Sequence, residues 1–230
     1  MENHTLAGPV DPSPGDFSPT ARTRLRRLSE RGHYDRKTIY EILDAGLVCH
    51  VGYVIDGQPY VTATAYWRIG GRVYWHGSAA GKMLRHLKGG VPVCFTVSLL
   101  DGLVLARSGF HSSINYRAVM ALGRAQLVAD RDEKLAALTA FSERLTPGRW
   151  PELKPPSEQE LKATTVISLE LEEVAAKVRT GPPKDDEEDL SLPVWAGVVP
   201  VATVLGQPEA DPLLAPDIPA PAYLQDISIG

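Results

Sequence analysis

The chain has 230 residues, of which 43% are hydrophobic, 23% charged and 7% aromatic. That hydrophobic share fills a real core, which excludes a wholly disordered chain, and the length allows one to two domains. The formal net charge of -4 argues against a general nucleic-acid binder, which needs a basic excess to neutralise phosphates. No apolar run approaches the roughly 20 residues of a membrane-spanning helix. The first residues lack a basic start followed by an apolar stretch, so no secretory leader is expected. The composition therefore predicts a soluble, cytoplasmic protein with no nucleic-acid and no membrane partner. Cys49 and Cys94 each sit in a strand-like apolar run. Two buried thiols in a reducing compartment is the main reading and a disulfide the alternative. With only six scattered histidines beside them, no metal site is expected.

Proline marks the ends: nine of the 19 prolines fall in residues 1–20 or 206–230. The pattern divides the chain into a disordered N-terminal tail (1–20), one domain (21–205) and a Pro-rich C-terminal tail (206–230). Within the domain, Asp35 caps a short helix whose Ile39, Ile42 and Leu43 share a face and which ends at Gly46. Two β-prone runs, 47–55 and 58–66, flank Asp56-Gly57, the strongest short hairpin signal. Gly70-Gly71 turns the chain into a strand at 72–76, and a helix is expected from about Ala79 to Leu87. Strands follow at 91–99 and 103–107 around a predicted turn at Asp101-Gly102, then a longer run from Asn115 to Val128. Asp130 and Glu133 have capping-box spacing for a helix to about Leu145, with Leu135, Leu138 and Phe141 as its core face. Ser157 and Glu160 repeat that spacing, and strands at 164–169 and 175–178 close the pattern. Antiparallel hairpins with inserted helices predict a mainly β protein, a small barrel rather than a doubly wound sheet.

Three segments have the residue types for ligand chemistry. Tyr74-Trp-His-Gly-Ser-Ala-Ala-Gly-Lys-Met83 reads as a strand, a small-residue turn and a helix with Lys82 in its first turn, an arrangement that suits an anion. It is no Walker A loop, since three residues separate Gly77 from Gly81 and Met83 follows the lysine. An ordinary turn with an exposed lysine is the plain alternative. Thr62-Ala-Thr-Ala65 is a small-residue strand between Tyr60 and Tyr66 that lets a planar ligand approach the backbone. Ser113 and Arg117, in Ser112-Ser-Ile-Asn-Tyr-Arg-Ala-Val119, suit a second part of an anionic ligand, or a surface ion pair. Five arginines between Arg22 and Arg31 are expected to form a solvated helix face paired with the acidic run at 185–189.

Taken together, His76-Gly-Ser-Ala-Ala-Gly-Lys82, Gly57-Gln-Pro-Tyr-Val-Thr62 and Asn115-Tyr-Arg-Ala-Val119 resemble the pyridoxamine 5'-phosphate oxidase-like superfamily. The likeness is greatest to its nitroimidazole-resistance reductase branch, whose C-terminal segment Val194-Trp-Ala-Gly-Val-Val-Pro200 also resembles. The resemblance implies a six-stranded split β-barrel that forms a homodimer and holds FMN at the subunit interface. It implies that Thr62, Ala63 and Thr64 face the flavin ring, that His76 and Ser78 sit near the ribityl chain and phosphate, and that Lys82 binds the phosphate. Arg117 and Ser113 would reach the ligand from the partner subunit, and Trp195 would cover the ring edge. His76 would also position a substrate or donate a proton to it. Residues 206–230 hold no arginine or histidine, unlike the substrate-binding end of the vitamin oxidase, which argues against pyridoxamine phosphate as substrate. The expected activity is an FMN-dependent oxidoreduction of a small organic molecule, such as a nitro or quinone-like compound. The alternative is a flavin- or deazaflavin-binding carrier or sensor without turnover; some relatives place haem in the same barrel.

Overall fold

The computed structural model describes residues 15–229. In chain order the elements are β1 (Gly32–His33), α1 (Arg36–Ala45), β2 (Val48–Ile55), β3 (Gln58–Ile69), β4 (Arg72–Ser78) and α2 (Lys82–Leu87). There follow β5 (Pro92–Leu105), β6 (Ser113–Arg124), β7 (Gln126–Leu127), α3 (Arg131–Leu145), α4 (Glu158–Ala163), β8 (Thr164–Glu170), β9 (Glu173–Arg179) and β10 (Gly197–Pro200). All pairings are antiparallel, in the order β1-β9-β6-β5-β2-β3-β4-β8-β7, with β10 on β5. Two long strands pass between the halves of this sheet. β3 pairs first with β2 and then with β4, while the chain leaving β6 continues into β7 on β8. This is the mainly antiparallel split-barrel architecture read from the sequence. The path is open, and without the short β1, β7 and β10 it has seven main strands where six were expected.

Several local expectations hold at the residue level. The Asp35 carboxylate caps α1 by accepting from the Thr38 amide at 2.8 Å. Ile39, Ile42 and Leu43 are each no more than 1% exposed, each burial contributing roughly 1.5–3 kcal/mol. They plug a core built from Cys49, Val51, Tyr66, Trp75, Phe95, Val97 and Val119. Asp130 caps α3 through the amides of Asp132 and Glu133, and Ser157 with Glu160 forms a complete capping box. A second cluster joins Trp67, Tyr74 and Val166 to Ala137, Leu138 and Phe141 of α3. Ala137 is the buried residue of that helix and the expected core face is only half-buried, because α3 lies on the outside of the sheet.

Other expectations need correction. Asp101-Gly102 is no turn: β5 runs straight through it with a bulge between Leu100 and Gly102. Asp101 is held by Arg117 on β6, and a Cβ on Gly102 would sit 3.0 Å from Val198, so glycine admits β10 there. α2 starts three residues later than expected, after the turn closed by the Gly81 amide on the Ser78 carbonyl. The arginine-rich segment forms no α-helix, only a 3-10 turn at Ser29–Arg31. Nor does it pair with the acidic run: Arg22 binds Glu173, whereas Asp185 pairs with Arg107 at 2.9 Å and Asp186 with His111 at 3.1 Å. Both cysteines are free thiols, Cys49 buried and Cys94 half-buried. Residues 1–14 of the expected N-terminal tail lie outside the described residues, and Phe17 is buried in the main core. No helix among the described residues is long and apolar enough to cross a membrane.

Candidate flavin site

The sheet parts between β3 and β4. Their ladder has four rungs, from Ile69 opposite Arg72 to Tyr66 opposite Trp75. Continued by one register step at a time, it would set Ala65 against His76, Thr64 against Gly77 and Ala63 against Ser78. Those rungs are absent: β3 stays with β2 through Ala65, and β4 stays with β8 through Ser78. Each lip of the gap therefore carries a strand edge whose amides and carbonyls have no ladder partner on that side. Thr62, Ala63 and Thr64 lie on one lip, and His76 and Ser78 on the other, with Lys82 just beyond.

The side chains divide by strand alternation. Thr62 and Thr64 are half-buried on the core-facing side, while Ala63 is exposed on the opposite face. Thr62 and Lys82 join one polar cluster through two tyrosines. The Thr62 hydroxyl lies 3.0 Å from that of Tyr53, and Tyr53 stacks on Tyr60 with ring centres 5.6 Å apart. The Lys82 ammonium donates to the Tyr60 hydroxyl at 3.0 Å, which holds its pKa above the ordinary lysine range. Ser78 accepts from the Ala80 amide at 3.3 Å, shaping the turn into α2. His86 adjoins Tyr53, ring centres 6.1 Å apart, and its Nε2 is buried without a partner.

His76 occupies the other face of its lip. Its ring lies 4.7 Å from Phe141 and 5.6 Å from Trp67, under α3, with Nδ1 buried and unpartnered. Burial pushes its pKa below the ordinary imidazole range, so it is neutral at neutral pH. Within one chain, Arg117, Ser113 and Trp195 are not brought to this gap. The Arg117 guanidinium is bound to Asp101 at 2.8 Å and lines a separate groove of about 630 Å³ with Val48, Leu100 and Val201. Ser113 opens β6 opposite Val104, exposed. Trp195 is 65% exposed and its ring lies against Gly197, where a Cβ would come within 2.8 Å of it. Among the described residues no group of three His, Cys, Asp or Glu side chains is placed to hold a metal ion.

The sequence reading missed Tyr53, Tyr60 and His86 as site residues. A signal for the first two was present: a two-residue Asp56-Gly57 loop sets Tyr53 opposite Tyr60, in phase with Thr62.

A parted β3/β4 edge beside a lysine-tipped turn defines a flavin-type split barrel, and the comparisons agree. The family described as pyridoxamine 5'-phosphate oxidase matches residues 35–178, and the chain belongs to that family. No curated protein matches it. Among solved structures, the flavocytochrome Anf3 from Azotobacter vinelandii is 46% identical with a TM-score of 0.89, covering 93% of this chain and 100% of its own. An FAD- and haem-binding protein from Mycobacterium smegmatis is 34% identical with a TM-score of 0.82, covering 85% of this chain and 96% of its own. A protein assigned to 5-nitroimidazole antibiotic resistance from Bacteroides thetaiotaomicron is 23% identical with a TM-score of 0.53, covering 64% of this chain and 86% of its own, a likeness of fold alone.

Proposed function

We propose that this chain is a flavin-dependent oxidoreductase acting on a small organic molecule. The observation that carries the reading is the unpaired gap between Thr62–Ala65 and His76–Ser78, next to the Lys82–Tyr60 pair. A planar ring with hydrogen-bonding edges fits two free strand edges, and a phosphate fits the lysine and the hydroxyls around it. When bound, the flavin supplies hydride and single-electron transfer. Lys82 neutralises the phosphate, the β3 edge from Thr62 to Thr64 orients the ring, and α3 with Trp67 keeps water from the His76 side. His76, neutral and packed against Phe141 and Trp67 under α3, has its Nδ1 buried within the chain, so its part in this reading is to pack the β4 lip rather than to donate a proton through that atom. FMN is the flavin read from the sequence. FAD is the alternative supported by the Mycobacterium smegmatis relative, and haem is a second group supported by both of the more identical structures.

Homodimerisation is part of this reading. The outer face of β2, β3 and β5 is uncovered, with Val48 and Val54 each 53%, Val61 71% and Leu100 46% exposed. A second copy would cover it, and would carry Arg117, Ser113 and Trp195 to the flavin of its neighbour. Reduction by a nicotinamide cofactor, followed by reoxidation with nitro or quinone acceptors, tests the activity. Repeated turnover supports an oxidoreductase; a bound flavin that exchanges no electrons supports the carrier alternative. Sedimentation of the purified protein tests the dimer, and a monomer at micromolar concentration contradicts it.

A further inference from the structure

Arg117 and Asp101 meet because β5 bulges. Leu100 pairs with Tyr116 and Gly102 with Asn115, so Asp101 is the extra residue and has no partner across the ladder. A bulge of this kind re-aims one side chain. Here it turns the Asp101 carboxylate to the Arg117 guanidinium, which donates to it through Nε at 3.0 Å and Nη2 at 2.8 Å. The Nη1 edge of the same guanidinium has no hydrogen-bond partner among the described residues.

The pair lies in the groove of about 630 Å³, a volume within the usual range for a small-molecule site, about 300–1,000 Å³. Three walls form it: residues 45–48, where α1 passes into β2, residues 98–101 of β5, and residues 201–203 after β10. The third wall is held by the Val201 amide, which donates to the Asp101 carbonyl at 3.1 Å. Apart from Asp101 and Arg117 the lining carries no ionisable side chain, so the groove is apolar and its two charges offset each other. The Lys82 cluster is the opposite case: its ammonium donates to a hydroxyl and has no ion-pair partner among the described residues. The site thus divides into a charged end that suits a phosphate and a neutral groove that does not.

We propose that this groove holds the substrate, a neutral planar carbonyl or nitro compound whose oxygen accepts from Nη1 of Arg117, and that Asp101 makes the groove select against anions. The proposal rests on the reading of the chain as a dimeric flavin oxidoreductase. In that reading a second copy receives Arg117 at its flavin gap, so the groove opens onto the neighbour's gap at the seam between copies. Val48 and Leu100 stand on the exposed rim and Arg117 is half-buried, so a neighbour lying on the rim would roof the groove. A guanidinium neutralised by a carboxylate attracts no further anion, yet its remaining N–H groups still donate. Desolvating a charged substrate beside Asp101 is unfavourable, whereas a carbonyl or nitro oxygen needs one donor and an apolar bed.

The test is equilibrium dialysis of the full-length, flavin-loaded protein against para-nitrobenzamide and para-nitrobenzoate, a neutral and an anionic compound of matched shape, with steady-state turnover of both. Wild type is expected to bind the amide about tenfold more tightly than the benzoate. Asp101→Asn leaves the guanidinium charge uncompensated and is expected to reverse that preference, in turnover through KM rather than kcat, with flavin content unchanged. Arg117→Gln is expected to weaken binding of the amide, and Ala202→Trp, which fills the groove from another wall, to weaken binding of both. An unchanged preference in Asp101→Asn, in protein that retains its flavin and binds the amide, would overturn the selectivity role. Amide binding that is absent in wild type, or indifferent to both Arg117→Gln and Ala202→Trp, would overturn the groove assignment and leave the oxidoreductase reading standing if other acceptors turn over. Dialysis that follows these expectations in protein that never turns over would support the groove as a ligand site and overturn the oxidoreductase reading.

Discussion

The ammonium of Lys82 donates to the hydroxyl of Tyr60 at 3.0 Å and stands 4.3 Å from the centre of the same ring. One aromatic residue thus fixes the lysine by a charge-assisted hydrogen bond and a cation–π contact. The pair tethers the start of α2 to the β2–β3 hairpin, at the mouth of the parted strands. If this cluster receives the flavin phosphate, Lys82→Ala weakens flavin binding by roughly ten- to a hundredfold, the usual effect of losing a hydrogen bond to a charged group. Tyr60→Phe keeps the ring under the ammonium and loses less. Fluorescence titration with FMN and with FAD measures both effects.

His76 makes stability depend on acid. Its folded pKa is lowered by burial, so the unfolded chain takes up the proton first as pH falls. The stability its neutral form contributes is fully present above about pH 6.5, the ordinary imidazole value, and is lost as pH falls through the lower folded pKa. His76→Gln is expected to flatten this part of the curve. Denaturant midpoints between pH 4 and 8, in wild type and variant, check it.

Gly46 ends α1 where no side chain fits. A Cβ there would lie 2.7 Å from the Tyr66 hydroxyl and 2.8 Å from Cγ1 of Val97, both in the packed core. The Tyr66 hydroxyl is itself committed as a donor to the Leu43 carbonyl. Gly46→Ala is therefore expected to cost about 1–3 kcal/mol, as overpacking typically does, with a matching fall in thermal midpoint.

The two thiols differ in reactivity. Burial pushes the Cys49 thiol up to about 12, so it presents almost no thiolate at pH 8. Cys94 faces the open side of the sheet opposite Gly52. A thiol reagent is expected to modify Cys94 in preference to Cys49, more slowly where a second copy covers this face, with labelling lost in Cys94→Ser. Fast modification of Cys49 without unfolding would contradict the packing described.

Features set by neighbours in sequence were legible from sequence. Asp56-Gly57 gave the hairpin, Asp35 the start of α1, and Ser157 with Glu160 the capping box, because each depends on groups within a few residues. Asp101-Gly102 carried the same local signal and misled, since long pairing with β6 and the approach of β10 outweigh a turn preference. β10 itself has only four residues and takes its conformation from β5, so no local pattern announces it. The lips of the site were readable as motifs. The face on which His76 lies was not, because that depends on where α3 packs. Tyr60 went unweighted for a similar reason: its value comes from Lys82, more than twenty positions away in the chain.

The most direct measurement is the visible spectrum of the purified protein before and after desalting and FMN or FAD addition, with the released ligand identified by mass. The account predicts a flavin band that survives desalting in wild type and is lost or sharply reduced in Lys82→Ala. A correctly folded protein that retains neither FMN nor FAD after reconstitution would contradict it.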